Sequence, residues 1–543
     1  MHPTLKRVDE FLRVKEDKND ESGGTKSRWS NPDLDPVPDY KRKWNMVDLS
    51  MFWSSDNFGP GTWSAGSSLV ALGWTAREII PFAFVGGLFC GVVAYFNARA
   101  GARTGLCFPV LIRTSFGPWA ALVPVFVRAL IGLIWLVVLT FQAADVVTIC
   151  IAAAVPSYNT AIKNIFPESS NVTSTQLLSM FIYWIFQSAL LIMPMEKTKH
   201  LYNVKGIICP ITFIALLIWG VVVTRGGDSP YISGPSTMAG SRVMNALTGI
   251  NAMASVASTI STNIPDFSRF QRPTRYAWTQ IIIMPITACV PVACGVITTS
   301  AVYTYYNIEG AWEPAALITN FGDRAIRFFV GAAFLLSYVG VNSSANGCAF
   351  ANDFSSILPR YFNFRRSAIF ACLLCFILQP WFLLRDAGAF LAFLGAYGSF
   401  LSGISAIMLV DFWIVRGNGK VDIRDLYLGE KGRYWYWHGI NWRAVSAWVI
   451  SFVPNLPGLA HAINADIPSV NPYTYCVSWF WGTIFAGGLY WAFSVFFPPH
   501  KTFVEEAVYR LDGTPAGIEF SESLSEAKLD EEAAYVVPAS ESK

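Results

Sequence analysis

Charged residues are scarce in this sequence. Asp, Glu, Lys and Arg make up 14% of the 543 residues, and they are concentrated at both ends and in short loops. A soluble chain of this length would have roughly a quarter of its residues charged. With 53% hydrophobic residues, 20 Trp and 40 Phe, the composition is instead typical of a polytopic membrane protein.

Histidine is also rare, and the cysteines do not form a motif. The chain has 5 His, and its 10 Cys lie almost all inside apolar runs without the paired spacing of a zinc site or a disulfide framework. No nucleophile motif or grouped His, Cys and acid set is present, so we expect neither an enzyme nor a metal or cofactor site. The net charge of +3 gives no argument for a nucleic-acid partner.

The hydrophobic residues form about twelve stretches, each near the roughly 20 residues that a helix needs to cross a bilayer. We therefore predict an all-α polytopic membrane protein, with residues 46–498 embedded in lipid between a mostly disordered cytosolic tail, residues 1–45, and a second cytosolic tail, residues 499–543. The charged start indicates that no cleavable signal precedes the first span. The approximate spans are 51–73, 79–98, 120–154, 176–194, 204–224, 244–264, 278–304, 328–350, 367–384, 388–415, 443–463 and 473–497.

Lys and Arg residues of the short loops follow the even-numbered spans, whereas the opposite loops are poorer in positive charge. The positive-inside rule then predicts that both termini are cytosolic. Asn171, in an Asn-Val-Thr sequence after span three, would lie outside and is a candidate for glycosylation.

Span one is interrupted near its middle by Gly59, Pro60 and Gly61, just after Asp56. Proline donates no amide hydrogen and glycine loosens a helix, so several backbone groups lose their helical partners. In a membrane such groups are tolerated only inside protein or beside a watery cavity, and a carboxylate in a span is usually functional. A simple proline kink is the alternative.

Span six is unusually polar, with Gly249 inside it and Pro265 near its end. Spans one and six hold corresponding positions in two halves of five helices. A pair of interrupted helices so placed indicates a transporter site built on inverted repeats, which predicts a five-plus-five core with two extra helices. Alternatively, the small hydroxyl residues only allow close helix packing.

Two further spans carry polar groups on one face. Trp135, Leu139 and Gln142 share a side of span three, where the indole is suited to stack on a flat ring and the amide to bind its edge. In span eight, Asn342 and Asn346 lie one turn apart, and a polar ligand would supply the partners that buried amides need. Helix packing and interhelical hydrogen bonds are the alternatives.

Several motifs occur in an order that resembles the nucleobase-cation symporter family, and within it the fungal uracil and allantoin permease branch. The resemblance covers about residues 30 to 500. The motifs are NPDLD from Asn31, TWSAGSSLVALG from Thr62, RTSFG from Arg113, HLYNVK from His200, NIPDFSRF from Asn263, GVNSSANGCAFANDFSSILPRYFNFRR from Gly340 and MLVDFWIVRGNGKVDIRDLY from Met408.

This resemblance implies a LeuT-like fold of ten core helices, with substrate held between spans one, three, six, eight and ten. In similar proteins a Trp on span three stacks on the ring, a Gln one turn later binds its polar edge, and an Asn on span eight binds the opposite edge. Trp135 and Asn342 fall on two of these positions, but Leu139 occupies the Gln position. Gln142, on the same face, is the alternative partner for the ring edge.

The resemblance also suggests how transport is driven. Similar fungal carriers use protons, whereas bacterial relatives bind sodium between the broken first helix and hydroxyls of span eight. Ser337 aligns with one such hydroxyl, but its neighbour Leu336 cannot act as the other, so sodium is less expected than the proton. Asp56 is the candidate proton carrier. On span ten, Phe393, Tyr397 and Phe400 resemble the outer gate, with aromatic packing as the alternative.

The expected function is a plasma-membrane proton symporter that imports a small planar heterocycle of the uracil or allantoin type. Carriers of nucleosides, thiamine and nicotinamide riboside belong to the same branch and are the alternative substrates. A non-transporting nutrient sensor on the same scaffold is a second alternative, although such sensors usually carry a large soluble extension.

Overall fold

The computed structural model describes residues 13–14, 28–193, 195–384, 386–464, 466–468 and 472–514. Nearly all the regular structure in these ranges is helical, and β-pairing within them is limited to isolated bridges. Most of the predicted N-terminal tail and residues 515–543 of the predicted C-terminal tail lie outside the described residues. The predicted all-α class is therefore confirmed.

Helices coincide with every predicted span. In the first half they are Met46–Asn57 and Pro60–Ala71 (span one), Ala76–Thr104 (two), Leu122–Ala154 (three), Ser174–Ile192 (four), Met195–Val223 (five), and Arg242–Val256, Ser258–Asn263 and Pro265–Ser268 (six). In the second half they are Thr279–Tyr306 (seven), Arg324–Val341 and Gly347–Ile357 joined by the π-helical turn Asn342–Asn346 (eight), Phe364–Leu374 (nine), Ala387–Val410 with the π-helical turn Asp411–Val415 (ten), Trp442–Phe452 and Leu456–Ile463 (eleven), and Pro472–Cys476 and Ser478–Phe496 (twelve).

Within the described residues, 7 helices are long and apolar enough to cross a membrane by length and composition alone. They belong to spans two, three, four, five, seven, eight and ten. Spans one and six are absent from this set because each is broken into shorter helices. The break in span one lies at Phe58 and Gly59. Gly59 has an extended backbone and precedes the second helix, whose first residue is Pro60. Pro60 is tolerated there because the first amide of a helix has no intrahelical partner.

The spans pack in three groups. Spans one, two, six and seven contact one another, as do spans three, four, eight and nine, and as do spans ten, eleven and twelve. Span five lies between the first two groups, against spans seven and eight, and span ten contacts span six. This arrangement leaves the break in span one facing spans three and eight.

Loops that follow even-numbered spans meet on the face where span one begins, which we call the inner face. Arg103, in the last turn of span two, donates to the carbonyl of Asn418, after span ten, at 3.1 Å. On the opposite, outer face, the Thr237 amide after span five donates to the Gly73 carbonyl after span one at 3.0 Å. The alternation of loops between two faces, as predicted from the spans, is thus present. Asn171 is exposed on the outer face.

Residues 28–45, which precede span one and were predicted to be mostly disordered, are folded along the inner face. Asn31 donates through Nδ2 to the carbonyls of Pro359 and Phe362, both at 3.1 Å. The Asp33 carboxylate accepts from the Phe364 amide at 2.9 Å, and the Asp33 carbonyl accepts from Arg269 at 3.0 Å. These bonds join the segment to the loops after spans six and eight.

Candidate functional site

The break in span one faces two other spans. Ser337 of span eight donates through Oγ to the Phe58 carbonyl, a backbone group freed by the break, at 2.8 Å. On the other side, the Trp135 ring of span three lies so close to Gly61 that an added Cβ would come within 3.2 Å of its Cζ3 atom. A residue with a Cβ at this position would require the indole to move away by a few tenths of an ångström.

A small cavity lies beside Trp135, between spans one, three, six and eight. Its polar lining includes Asn346 of span eight, Thr259 and Asn263 of span six, and Arg128 of span three, while Trp53 of span one covers one wall. A flat aromatic surface next to several amides and a hydroxyl suits a small ring with donors and acceptors on its edge.

Asn342 is completely buried behind this cavity and does not line it. Its Nδ2 donates to Gln187 Oε1 at 2.6 Å, to the Leu136 carbonyl at 3.2 Å and to Thr140 Oγ1 at 3.4 Å. Its Oδ1 accepts from Asn346 Nδ2 at 2.8 Å. Asn342 therefore orients Asn346, and the two amides predicted to share a face do so inside the π-helical turn, a distortion frequent at functional sites.

Asp56 lies just before the break, buried beside a lysine of span five. Its Oδ1 accepts from Ser344 Oγ at 2.9 Å, and Lys205 exerts a favourable Coulombic effect on it. Lys205 is 1% exposed, and its side chain packs on Gly340 of span eight. Within the described residues Lys205 Nζ has no hydrogen-bond partner, so Asp56 is the charge that offsets its burial.

On the inner side of the cavity, Arg128 joins three spans. It forms a short ion pair with Asp353 of span eight, donates to the Ala349 carbonyl at 2.7 Å, and lies 3.7 Å from Asp266 of span six. In the amide orientation that its surroundings require, Asn263 accepts from Arg128 at 2.8 Å. All of these charges are buried, so the cluster closes the cavity toward the inner face.

On the outer side, aromatic rings of span ten cover Trp135. The ring centroids of Phe390, Phe393 and Tyr397 lie 5.9, 5.6 and 6.2 Å from that of Trp135. Phe393 and Tyr397 are thus placed where a gate residue would be, and Phe390 joins them. Phe400 lies elsewhere, with its ring 5.0 Å from Phe452 of span eleven.

The remaining positions predicted on span three do not reach the cavity. Leu139 is buried in the core at 1% exposure and does not line it. Gln142 points outward along the span and donates through Nε2 to Glu313, in the loop after span seven, at 3.3 Å. Burial and the charge of Asp145 raise the pKa of Glu313 to about 8, although the hydrogen bond from Gln142 lowers it.

Sequence reasoning missed several charged residues of this region, among them Lys205, Arg128 and Glu313. Lys205 and Arg128 lie inside predicted apolar spans, and an ionisable residue there is a functional hypothesis by default, so the signal was available. Glu313 lies in a loop, where a single carboxylate carries no such signal.

A sequence profile for one family, described as permeases for cytosine/purines, uracil, thiamine and allantoin, matches residues 36–482. The allantoin permease of Saccharomyces cerevisiae is 29% identical over 449 residues, which cover 80% of this chain and 70% of that protein. The uracil permease of the same yeast is 28% identical over 489 residues, covering 86% and 76%.

Among solved structures, the chain is similar to Mhp1, a nucleobase-cation-symport-1 family transporter, in a closed conformation with bromovinylhydantoin bound. The TM-score is 0.66 at 19% sequence identity, over 88% of this chain and 98% of Mhp1. This likeness confirms the predicted fold class, a five-plus-five core of inverted repeats with additional helices.

Proposed function

This chain belongs to the family of permeases for cytosine/purines, uracil, thiamine and allantoin, and is a multi-pass membrane transporter rather than an enzyme; we propose that it is a proton symporter importing a small planar heterocycle of the uracil or allantoin type. We place it in the plasma membrane with both termini in the cytosol, so that the inner face is cytosolic. In this orientation Asn171 is outside and available for glycosylation.

The observation that carries the proposal is the convergence of Trp135, Asn346 and Asn263 on one cavity beside the break in span one. The indole supplies a stacking surface, and the two amides supply both donors and acceptors. Asn342 acts through Asn346, and the aromatic rings of Phe393 and Tyr397 close the site from outside.

The charges at the break in span one favour a proton over sodium as the coupling ion. A sodium ion between spans one and eight would need ligands near the Phe58 carbonyl and Ser337. Lys205 already brings a positive charge to this region, and a second cation beside it would be repelled. A proton on Asp56 instead changes the charge of the Asp56 and Lys205 pair without needing room for an ion.

Uptake of radiolabelled uracil, allantoin, uridine and thiamine into a permease-deficient cell tests the substrate. We expect uptake of uracil or allantoin that a protonophore abolishes and that does not require sodium. Transport of only uridine or thiamine would favour the alternative substrates. Failure of uracil and allantoin either to be transported or to compete would defeat the proposed substrate class.

The second alternative, a nutrient sensor, is distinguished by flux. The purified chain in proteoliposomes should accumulate substrate when an inward proton gradient is applied. Ligand binding in the same preparation without any accumulation would favour a sensor.

A further inference from the structure

Two carboxylates lie near Gln142 at the outer end of span three. Glu313 immediately precedes the short helix Pro314–Ile318 of the loop after span seven, and it accepts from Gln142 at 3.3 Å. Asp145, one turn along span three from Gln142, accepts from Gln176 of span four at 2.8 Å. Within the described residues, no Arg or Lys forms an ion pair with either carboxylate.

Two buried polar groups around these carboxylates have an unused hydrogen-bonding atom. Gln142 is 1% exposed, and while its Nε2 donates to Glu313, its Oε1 has no donor within the described part of the chain. The Tyr338 hydroxyl of span eight is fully buried and has no partner there, and both carboxylates exert a Coulombic effect on it. Two ionised carboxylates offer only acceptors, whereas a protonated carboxyl group offers the donor that Gln142 Oε1 needs.

The charges of the surrounding elements agree with this. The charge of Asp145 acts on Glu313, and both carboxylates act on Tyr338, which is neutral in its ordinary form. Burial and the facing charge of Asp145 raise the pKa of Glu313 to about 8. Two interacting carboxylates without a cation are expected to hold one proton between them.

We propose that Glu313 and Asp145 form an outer proton-binding site that shares one proton and holds the loop helix Pro314–Ile318 against span three. The neighbouring Trp312 ring stacks on Phe390 at 5.0 Å, and Phe390 in turn contacts Trp135. Proton binding at this site therefore stabilises the aromatic cover over the cavity. The effect on uptake rests on the proposed function, whereas proton binding itself does not.

Docking of the loop helix Pro314–Ile318 against span three depends on pH through the protonation of Glu313. A free glutamate has a pKa of about 4.3, and docking raises that of Glu313 to about 8. Docking is thus strongest below the pKa of the free group and is progressively lost as the pH rises toward about 8. A low external pH therefore keeps the aromatic cover over the cavity closed, and a high external pH opens it.

Infrared difference spectroscopy of the purified chain in lipid nanodiscs, between about pH 6 and about pH 9, detects the proton directly. We expect a carbonyl stretch of a protonated carboxyl group that disappears with rising pH in the wild type. This band should be lost in Glu313→Gln, and in Asp145→Asn it should disappear at a lower pH than in the wild type, because the charge that helps to raise the pKa of Glu313 is gone. Glu309→Gln, an exposed carboxylate in the same loop, is the matched control and should keep it. A band unchanged in both site variants would overturn the proposal.

Uptake kinetics test the link to the cover. The KM of the wild type and of Glu309→Gln should rise several-fold over the same pH range, because docking is lost, whereas the KM of Glu313→Gln should rise less and keep only the pH dependence that comes from proton coupling at Asp56. A wild-type pH profile in Glu313→Gln would overturn the link. If the wild type transports no substrate, the proposed function fails while the infrared band still decides whether the proton site exists.

Discussion

Asn342 shows how a residue without access to the cavity can still decide its chemistry. Its amide uses both ends, one on Gln187, Thr140 and Leu136, the other on Asn346. Because Asn346 lines the cavity and Asn342 does not, the ligand meets an amide whose orientation is set one turn away. The sequence alone predicted that the pair shares a face, but not which member is exposed to the cavity.

Replacement of Asn342 by Ala should reduce uptake below about a tenth of the wild type, since each buried amide left unpaired costs about 1 to 3 kcal/mol and Asn346 loses its fixed orientation. Uptake is compared at equal surface abundance. Asn203→Ala, which removes an exposed amide from span five, serves as the control. Normal transport by Asn342→Ala would contradict the positioning role.

At the scale of the helix, the broken first span determines the site. Its two halves, Met46–Asn57 and Pro60–Ala71, leave the Phe58 carbonyl for Ser337 and bring Gly61 against Trp135. Pro60 and the neighbouring glycines made this break predictable from sequence. Its contacts were less predictable, because the register between spans one, three and eight depends on packing over residues far apart in the chain.

Gly59→Ala tests the break itself. A Cβ at this position would lie 2.6 Å from the Asp56 carbonyl oxygen and 2.9 Å from Val341 Cγ2, so the extended turn cannot be kept without a shift. Such overpacking costs about 1 to 3 kcal/mol, and we expect most uptake to be lost. Gly488→Ala on span twelve, where an added Cβ meets nothing within 4 Å, should transport normally. Uptake and surface abundance are measured together.

At the scale of the whole molecule, charges from distant parts of the chain meet inside the membrane domain. Arg128 pairs with Asp353, 225 residues away, and Asp56 lies beside Lys205. Arg128, Asp56 and Lys205 could be recognised in the sequence as unusual, since they lie in predicted apolar spans, whereas Asp353 lies just beyond the predicted end of span eight. The pairing of these charges could not be recognised, because residues on different spans are brought together only by the packing of the complete bundle.

The buried pair at the break should report coupling. Asp56→Asn is expected to abolish the dependence of uptake on the proton gradient, because the carboxylate that takes the proton is gone; residual uptake should resist a protonophore. Asp228→Asn, an exposed carboxylate after span five, should behave as the wild type. Lys205→Met alone should lower abundance, since it leaves the buried Asp56 carboxylate without the positive charge that offsets its burial. Gradient-driven uptake by Asp56→Asn would argue against Asp56 as the carrier.

Asp33 links the inner end of span six to the start of span nine. Its carbonyl accepts a hydrogen bond from Arg269 after span six, and its carboxylate accepts one from the first amide of span nine. Asn31, two residues earlier, donates to the carbonyl of Pro359. Because one residue holds both partners, the inner ends of spans six and nine cannot move apart unless one of the two hydrogen bonds at Asp33 breaks.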